Sequence, residues 1–227
     1  IEQTVDRLRD LLPLANCLVI TNEEYVPAMR SLLHGLPPEN IIGEPVGRDT
    51  GPCVALAAGI VRERSGKAND AAMIALPADH SIHDLKSLHQ VLRDSVEVTR
   101  RENCPVVIGV QPTFPATGYG YIQCAEKTET GTQTSFLAGQ KFCEKPGMNT
   151  AQKFLDAGNY LWNSGMFIWS LQVIDNALAK YAPELWSLSE RISRAEGEGC
   201  LNEVLSEVFE HCSKISIDYA VMEHMER

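Results

Sequence analysis

No apolar run in this 227-residue chain approaches the ~20 residues that a helical membrane span requires. The first residues lack the apolar core of a secretory signal, so a cytoplasmic protein with no membrane partner is expected. Positive charge is scarce. Twenty Lys and Arg stand against thirty Asp and Glu, a net charge of -10 that argues against general binding to nucleic acid. A small anionic ligand remains compatible, because a local cation or a metal ion suffices to hold it. The seven cysteines are odd in number and none are spaced C-x-x-C, which removes the usual zinc and redox motifs. We read them as small buried hydrophobes in a reducing compartment. His-x-x-x-His spacing is missing, as is a Gly-x-Ser-x-Gly elbow for a nucleophilic serine. Internal repeats and low-complexity tracts are absent as well.

What is present is the balance of an ordinary globule, 44% hydrophobic and 22% charged. Ile1, Val5, Leu8 and Leu12 share one helical face, with Asp and Arg opposite. A short strand at Cys17–Ile20, a helix from Glu23 to Leu33 and a strand at Asn40–Ile42 follow. Thr50 reads as the N-cap of a helix with Pro52 in its first turn. Ala71–Leu76 reads as a strand buried on both faces. Lys86–Arg101 is an amphipathic helix, and Val106–Val110 the next buried strand. This alternation implies an α/β fold with a doubly wound, mostly parallel, Rossmann-like sheet. A β-hairpin excursion is expected between Tyr119 and Phe142, around the Thr- and Gly-rich stretch 128–134. A helix over 150–157 and a strand at Met166–Trp169 lead into a helical C-terminal part broken at Pro183 and at Gly197 and Gly199.

Polar residues stop several of these apolar runs, and in α/β folds ligands sit outside the carboxyl ends of the strands. Asp79, in Leu76-Pro77-Ala78-Asp79-His80, is a hard oxygen donor suited to Mg²⁺, or else a cap for the turn after it. Asp218 interrupts Ile215–Met222. It is costly to bury without a metal or a hydrogen bond, and alternatively caps a last helix beginning near Tyr219. Glu144-Lys145 offers a sugar-hydroxyl acceptor beside a compact phosphate-binding cation, or simply solvated surface. Gly118-Tyr119-Gly120 allows close backbone approach to a ligand, or a turn into the hairpin. Trp162-Asn163-Ser164-Gly165 leads into a strand and brings an amide that both donates and accepts, as polyol recognition needs. Glu44-Pro45-Val46-Gly47-Arg48-Asp49-Thr50 joins a strand to a helix N-terminus, where anions are favoured.

Taken in order, these runs closely resemble the bacterial mannose-1-phosphate guanylyltransferases. The Asn-Ser-Gly-Met-Phe run from Asn163 and the run Ser216-Ile217-Asp218-Tyr219-Ala220-Val221-Met222-Glu223 are the more specific parts. The resemblance covers nearly the whole chain and implies a fold of the nucleotide-diphospho-sugar transferase type. It implies transfer of a guanylyl group from GTP to mannose 1-phosphate, giving GDP-mannose and pyrophosphate, with Mg²⁺ as cofactor. Asp79 and Asp218 are then the metal carboxylates. Tyr119, Gly120, Glu144, Asn163 and Ser164 become sugar contacts, with Lys145 on the sugar phosphate. Glu44, Arg48, Asp49, Thr50, Pro77 and Ala78 belong to the guanine-nucleotide wall. A homodimer is a further expectation. Three departures stand out. The family's Gly-Gly-x-Gly-x-Arg loop and following Pro-Lys are expected upstream of residue 1, and its C-terminal continuation beyond the last residue. Position 49 is Asp where Asn is usual, and position 51 is Gly where Ala is common. The 227 residues are thus expected to form one nucleotidylyltransferase domain without those segments, inactive on its own. The alternatives are a catalytically silent sugar-nucleotide-binding module and a transferase for another sugar 1-phosphate.

Overall fold

The computed structural model describes residues 1–66 and 71–225. The chain divides into two compact units, one comprising Ile1–Ala68, Pro77–His89 and Pro183–Ser216, the other Asn69–Leu76, Gln90–Ala182 and Ile217–Arg227. In chain order the elements are α1 (Glu2–Asp6), β1 (Val19–Asn22), α2 (Val26–Leu32), β2 (Ile41–Glu44), α3 (Thr50–Arg64), β3 (Ala72–Ala75), α4 (Leu85–Glu102) and β4 (Val106–Val110). The hairpin follows as β5 (Tyr121–Thr128) and β6 (Phe136–Cys143), then α5 (Met148–Ala157) and β7 (Tyr160–Ser170). The C-terminal part is helical: α6 (Leu171–Tyr181), α7 (Pro183–Glu198), α8 (Leu201–Phe209) and α9 (Ile217–Ala220). The α/β class, the hairpin and the helical C-terminal part are those read from the sequence.

In the first unit β1 and β2 pair in parallel, Val19 opposite Ile41 and Asn22 opposite Glu44. Val5, Cys17, Val19, Leu33, Leu36 and Ile41 form a buried cluster, against which Ile1, Leu8 and Leu12 pack. The apolar face of the N-terminal segment is therefore as expected, although regular helix ends at Asp6. Its opposite face is not simply solvated: Arg7 is only 6% exposed. Helices α3 and α7 approach closely at Gly59, where a Cβ would lie 2.6 Å from the Ser189 carbonyl oxygen. Gly51 is explained in the same way. Its N–H donates to the Ile215 carbonyl at 2.9 Å. A Cβ there would sit 2.6 Å from that oxygen, so this chain has no room for the Ala common elsewhere.

In the second unit β7 is the organising strand. Residues 167 and 168 pair with β3 on one edge and β4 on the other, both antiparallel. Strands β3 and β4 therefore run parallel to each other but do not pair: β7 lies between them, so the pairings described in this sheet are antiparallel where the alternation implied a mostly parallel one. Further along, β7 pairs with β5, and β5 with β6, all antiparallel. The deepest burial falls on β7, not on β3: Phe167, Ile168 and Trp169 are 3%, 0% and 0% exposed. A strand with neighbours on both edges and apolar groups on both faces loses the most water-accessible surface. Phe167 and Trp169, two residues apart on the same face, stack at 5.2 Å.

All seven cysteines are free. Among the described residues no helix is long and apolar enough to cross a membrane.

Candidate active site

The second unit holds seven of the singled-out residues: Tyr119, Gly120, Glu144, Lys145, Asn163, Ser164 and Asp218. Strand β7 begins earlier than expected, so Trp162, Asn163, Ser164 and Gly165 lie within it. Its register against β4 slips between the pairs Val107–Phe167 and Gly109–Asn163, and Gly165 has φ +72°. A glycine in the left-handed region is how a bulge is made at low steric cost, and a bulge re-aims the side chains beside it. Here it fixes an amide. Asn163 Oδ1 accepts from the Gly165 N–H at 2.9 Å, and its Nδ2 donates to Asp218 Oδ1 at 2.8 Å. Ser164 turns into the sheet instead, with Oγ donating to the Ile108 carbonyl at 2.6 Å.

Glu144 and Lys145 follow the end of β6. Lys145 has φ +43°, and its Nζ lies 2.6 Å from Glu144 Oε1. The pair is asymmetric: the Glu144 side chain is 6% exposed and that of Lys145 56%. The hydrogen bond to Glu144 raises the Lys145 pKa, so the ammonium stays charged. Glu223, to which the sequence reading gave no role, accepts from the Glu144 N–H at 3.2 Å. Gly120 closes the cluster. Its carbonyl accepts from the Asn163 N–H at 2.8 Å, and a Cβ on it would lie 2.5 Å from Glu144 Oε2. Tyr119 is largely exposed and meets Trp162 edge-on at 5.1 Å.

Asp218 is not a helix cap. It lies in the first turn of α9. Burial, and next the charge of Glu144, push its pKa up to about 6. Two carboxylates that repel across a half-buried site, with one Lys beside them, form a donor set that a hard divalent cation suits. Among the described residues no three His, Cys, Asp or Glu side chains are grouped as a metal cage. Mg²⁺ does not require one, since it takes one or two carboxylates plus substrate phosphates.

The first unit holds the rest. Asp79 is exposed, four residues beyond the end of β3, and has no hydrogen bond or ion pair among the described residues. The capping role belongs to Asp84, which accepts from Ser87 N–H at 2.9 Å and Ser87 Oγ at 2.6 Å at the start of α4. Pro77 and Ala78 lie in the same loop, whose Ala78 carbonyl accepts from Thr4 Oγ1 at 3.1 Å.

The cap of α3 is Asp49 and not Thr50, which is the first residue of the helix. Asp49 Oδ1 accepts from the Thr50 N–H at 2.7 Å. Its φ of 70° and ψ of -176° lie where glycine is at home, a strain of roughly 1–3 kcal/mol. Arg48 donates from Nε to the Phe209 carbonyl at 2.8 Å and from Nη2 to that of Glu210 at 2.5 Å. Those donors complete the C-terminus of α8.

Glu44 ends β2 with Oε1 buried and without a hydrogen-bond partner among the described residues. Burial pushes its pKa from an ordinary 4.5 up to about 7, and its charge adds to the burial that pushes Cys53 up to about 12. A carboxyl whose folded pKa lies above its unfolded value favours the fold when protonated. That contribution is present below pH 4.5 and lost as the pH rises to about 7. Glu44→Gln should therefore raise the melting temperature at pH 8 and give no gain at pH 4. Thermal melts of both proteins across that range test this, and an equal offset at every pH would refute it.

Residues 1–201 match the nucleotidyl transferase family model. Over 225 residues the chain is 37% identical to a mannose-1-phosphate guanylyltransferase of Sinorhizobium fredii, covering 98% of this chain and 43% of that protein. It is 32% identical over 226 residues to a mannose-1-phosphate guanylyltransferase of Escherichia coli, covering 98% and 48%. The chain thus spans about half the length of the curated relatives it matches. A crystal structure titled as a mannose-1-phosphate geranyltransferase from Thermus thermophilus superposes with TM-score 0.83 at 30% identity, covering 100% of this chain and 61% of that one. A mannose-6-phosphate isomerase from Helicobacter pylori superposes with TM-score 0.76 at 21% identity, covering 99% and 84%, a likeness of fold alone.

Proposed function

Because this chain belongs to the nucleotidyl transferase family, we propose that the intact protein transfers a guanylyl group from GTP to α-D-mannose 1-phosphate. A phosphate oxygen of the sugar phosphate attacks the α-phosphorus of GTP. The bond to the β-phosphate bridging oxygen breaks, and GDP-mannose and pyrophosphate leave. One observation carries the reading: hydrogen bonds link Gly120, Asn163 and Asp218, and the Glu144–Lys145 pair lies against Gly120 with the Glu144 charge felt at Asp218.

The protein's part is placement and charge neutralisation, as in phosphoryl transfer generally. Glu144 accepts from sugar hydroxyls, and Gly120 lets the sugar approach the backbone. Asn163, oriented from both sides of its amide, holds its hydrogen-bonding group at a fixed angle. Lys145, exposed and charged, meets the phosphate of mannose 1-phosphate. Glu44 supplies an acceptor for the N–H donors on the Watson–Crick edge of guanine, and Asp49, Thr50, Pro77 and Ala78 complete that wall. Arg48 supports it from the end of α8. Asp218 and Asp79 are each a carboxylate suited to Mg²⁺, which would neutralise phosphate charge when bound. A cytoplasmic location and a homodimer go with this reading, to be checked by cell fractionation and light scattering.

The test is pyrophosphate release by the intact protein. GTP with mannose 1-phosphate should be the preferred pair, and EDTA should abolish turnover. Faster reaction with UTP or dTTP and glucose 1-phosphate would remove the mannose assignment. Binding of GDP-mannose with no turnover would favour a silent binding module.

A further inference from the structure

We propose that Thr4 and Arg7 are positioning residues that clamp the loop carrying Asp79. The inference rests on the reading of Asp79 as a metal-binding carboxylate. Two side chains of the N-terminal segment grip the carbonyls on either side of that residue. Thr4 Oγ1 donates to Ala78 O at 3.1 Å, and Arg7 Nη2 donates to His80 O at 2.8 Å. Residues three apart on a helical turn lie side by side, so one face of the segment reaches both carbonyls.

Arg7 is itself braced. Its Nε donates to Gln3 O at 3.0 Å, and its own carbonyl lies 2.5 Å from His89 Nε2. A carbonyl only accepts, so that nitrogen of His89 carries the proton.

The arrangement is costly for a merely structural contact. Thr4 and Arg7 are both 6% exposed, and the hydrogen bonds of the Arg7 guanidinium go to carbonyls, not to a carboxylate. Burying a guanidinium against neutral dipoles is expensive, and an apolar residue would fill the same space at less cost. What the cost secures is the backbone on both sides of Asp79, while the Asp79 side chain has no hydrogen bond or ion pair among the described residues. A carboxylate on a pinned backbone with its oxygens uncommitted is placed in advance for a ligand.

The test uses the intact protein, with Thr4→Val and Arg7→Met as variants and Val5→Ala as the stability control from the same buried segment. Turnover, KM for mannose 1-phosphate, the Mg²⁺ concentration for half-maximal rate, and melting temperature are read for each. Thr4→Val and Arg7→Met should each lower kcat roughly tenfold and raise the Mg²⁺ requirement severalfold, with KM changed less than about twofold. Arg7→Lys, which keeps one donor for His80, should recover part of the rate. Val5→Ala should lower the melting temperature alone. If Arg7→Met does not fold, Thr4→Val decides, because it removes one hydroxyl and keeps the shape. Wild-type kcat and Mg²⁺ dependence in the variants, beside an inactive Asp79→Asn, would overturn the clamp and leave the metal reading standing. Full activity in Asp79→Asn would overturn both.

Discussion

Asp218→Asn should cut turnover of the intact protein by on the order of 100-fold or more while leaving it folded, and Asp79→Asn should do the same. The two are expected to fold for different reasons. Asp218 is a half-buried carboxylate disfavoured as an anion by burial and by Glu144. Asn there keeps an oxygen for the Asn163 amide, which now donates at 2.8 Å, and removes the repelled charge. Thermal stability measured in EDTA should hold or rise. Asp79 is exposed and unbonded among the described residues, so its amide should leave the melting temperature unchanged. Pyrophosphate release over a Mg²⁺ titration, run beside thermal melts, separates chemistry from folding. Near-normal turnover in both variants would remove the metal assignment.

Gly120→Ala should damage recognition of the sugar phosphate without unfolding the protein. A Cβ at that position would stand 2.5 Å from Glu144 Oε2, 3.1 Å from Phe142 Cζ and 3.3 Å from Asn163 Cβ. Backbone movement is resisted, because the Gly120 carbonyl accepts from Asn163 N–H. Glu144 must therefore shift, although its side chain is 6% exposed and paired with Lys145. A displacement of about 1 Å at a positioning group can cost ~100-fold, so KM for mannose 1-phosphate should rise by roughly ten- to a hundredfold. KM for GTP should change little. Gly118→Ala is the matched control, since its Cβ would meet nothing within 4 Å. Equal effects at the two glycines would show that loop flexibility matters rather than the contact with Glu144.

Much of the fold was legible because its signals are local. The strand at Val106–Val110 was read with its observed bounds. Pro183 opens α7 and Gly199, at φ +74°, follows its end, whereas Gly197 lies inside that helix and does not break it. Of the stripe Leu88, Val91, Leu92, Ser95 and Val98 that the spacing gives α4, all but the half-buried Val91 are buried. Less legible was β7. Asn163 and Gly165 look like turn residues before a strand, yet they lie inside one as a bulge, and only pairing with β4 and β5 reveals this. Capping was off where two candidates competed. Asp84 and Asp49 cap, while Asp79 and Thr50 do not, because caps depend on backbone angles that composition alone leaves open.

By itself the sequence determined the α/β alternation, the hairpin and the residue types of the proposed site, since hydrophobic period and glycine placement act over a few neighbours. Only the tertiary structure decided how those residues serve. It drew Glu144, Asn163 and Asp218 together from distant positions in the chain, raised the Asp218 pKa by burial and by a neighbour remote in sequence, and turned Arg48 and Ser164 to structural bonds. It also hid Arg7, which reads as a surface residue of an amphipathic segment, beneath the loop that carries Asp79. Charge interaction and desolvation depend on distance through space, and a chain written in one dimension leaves that distance open.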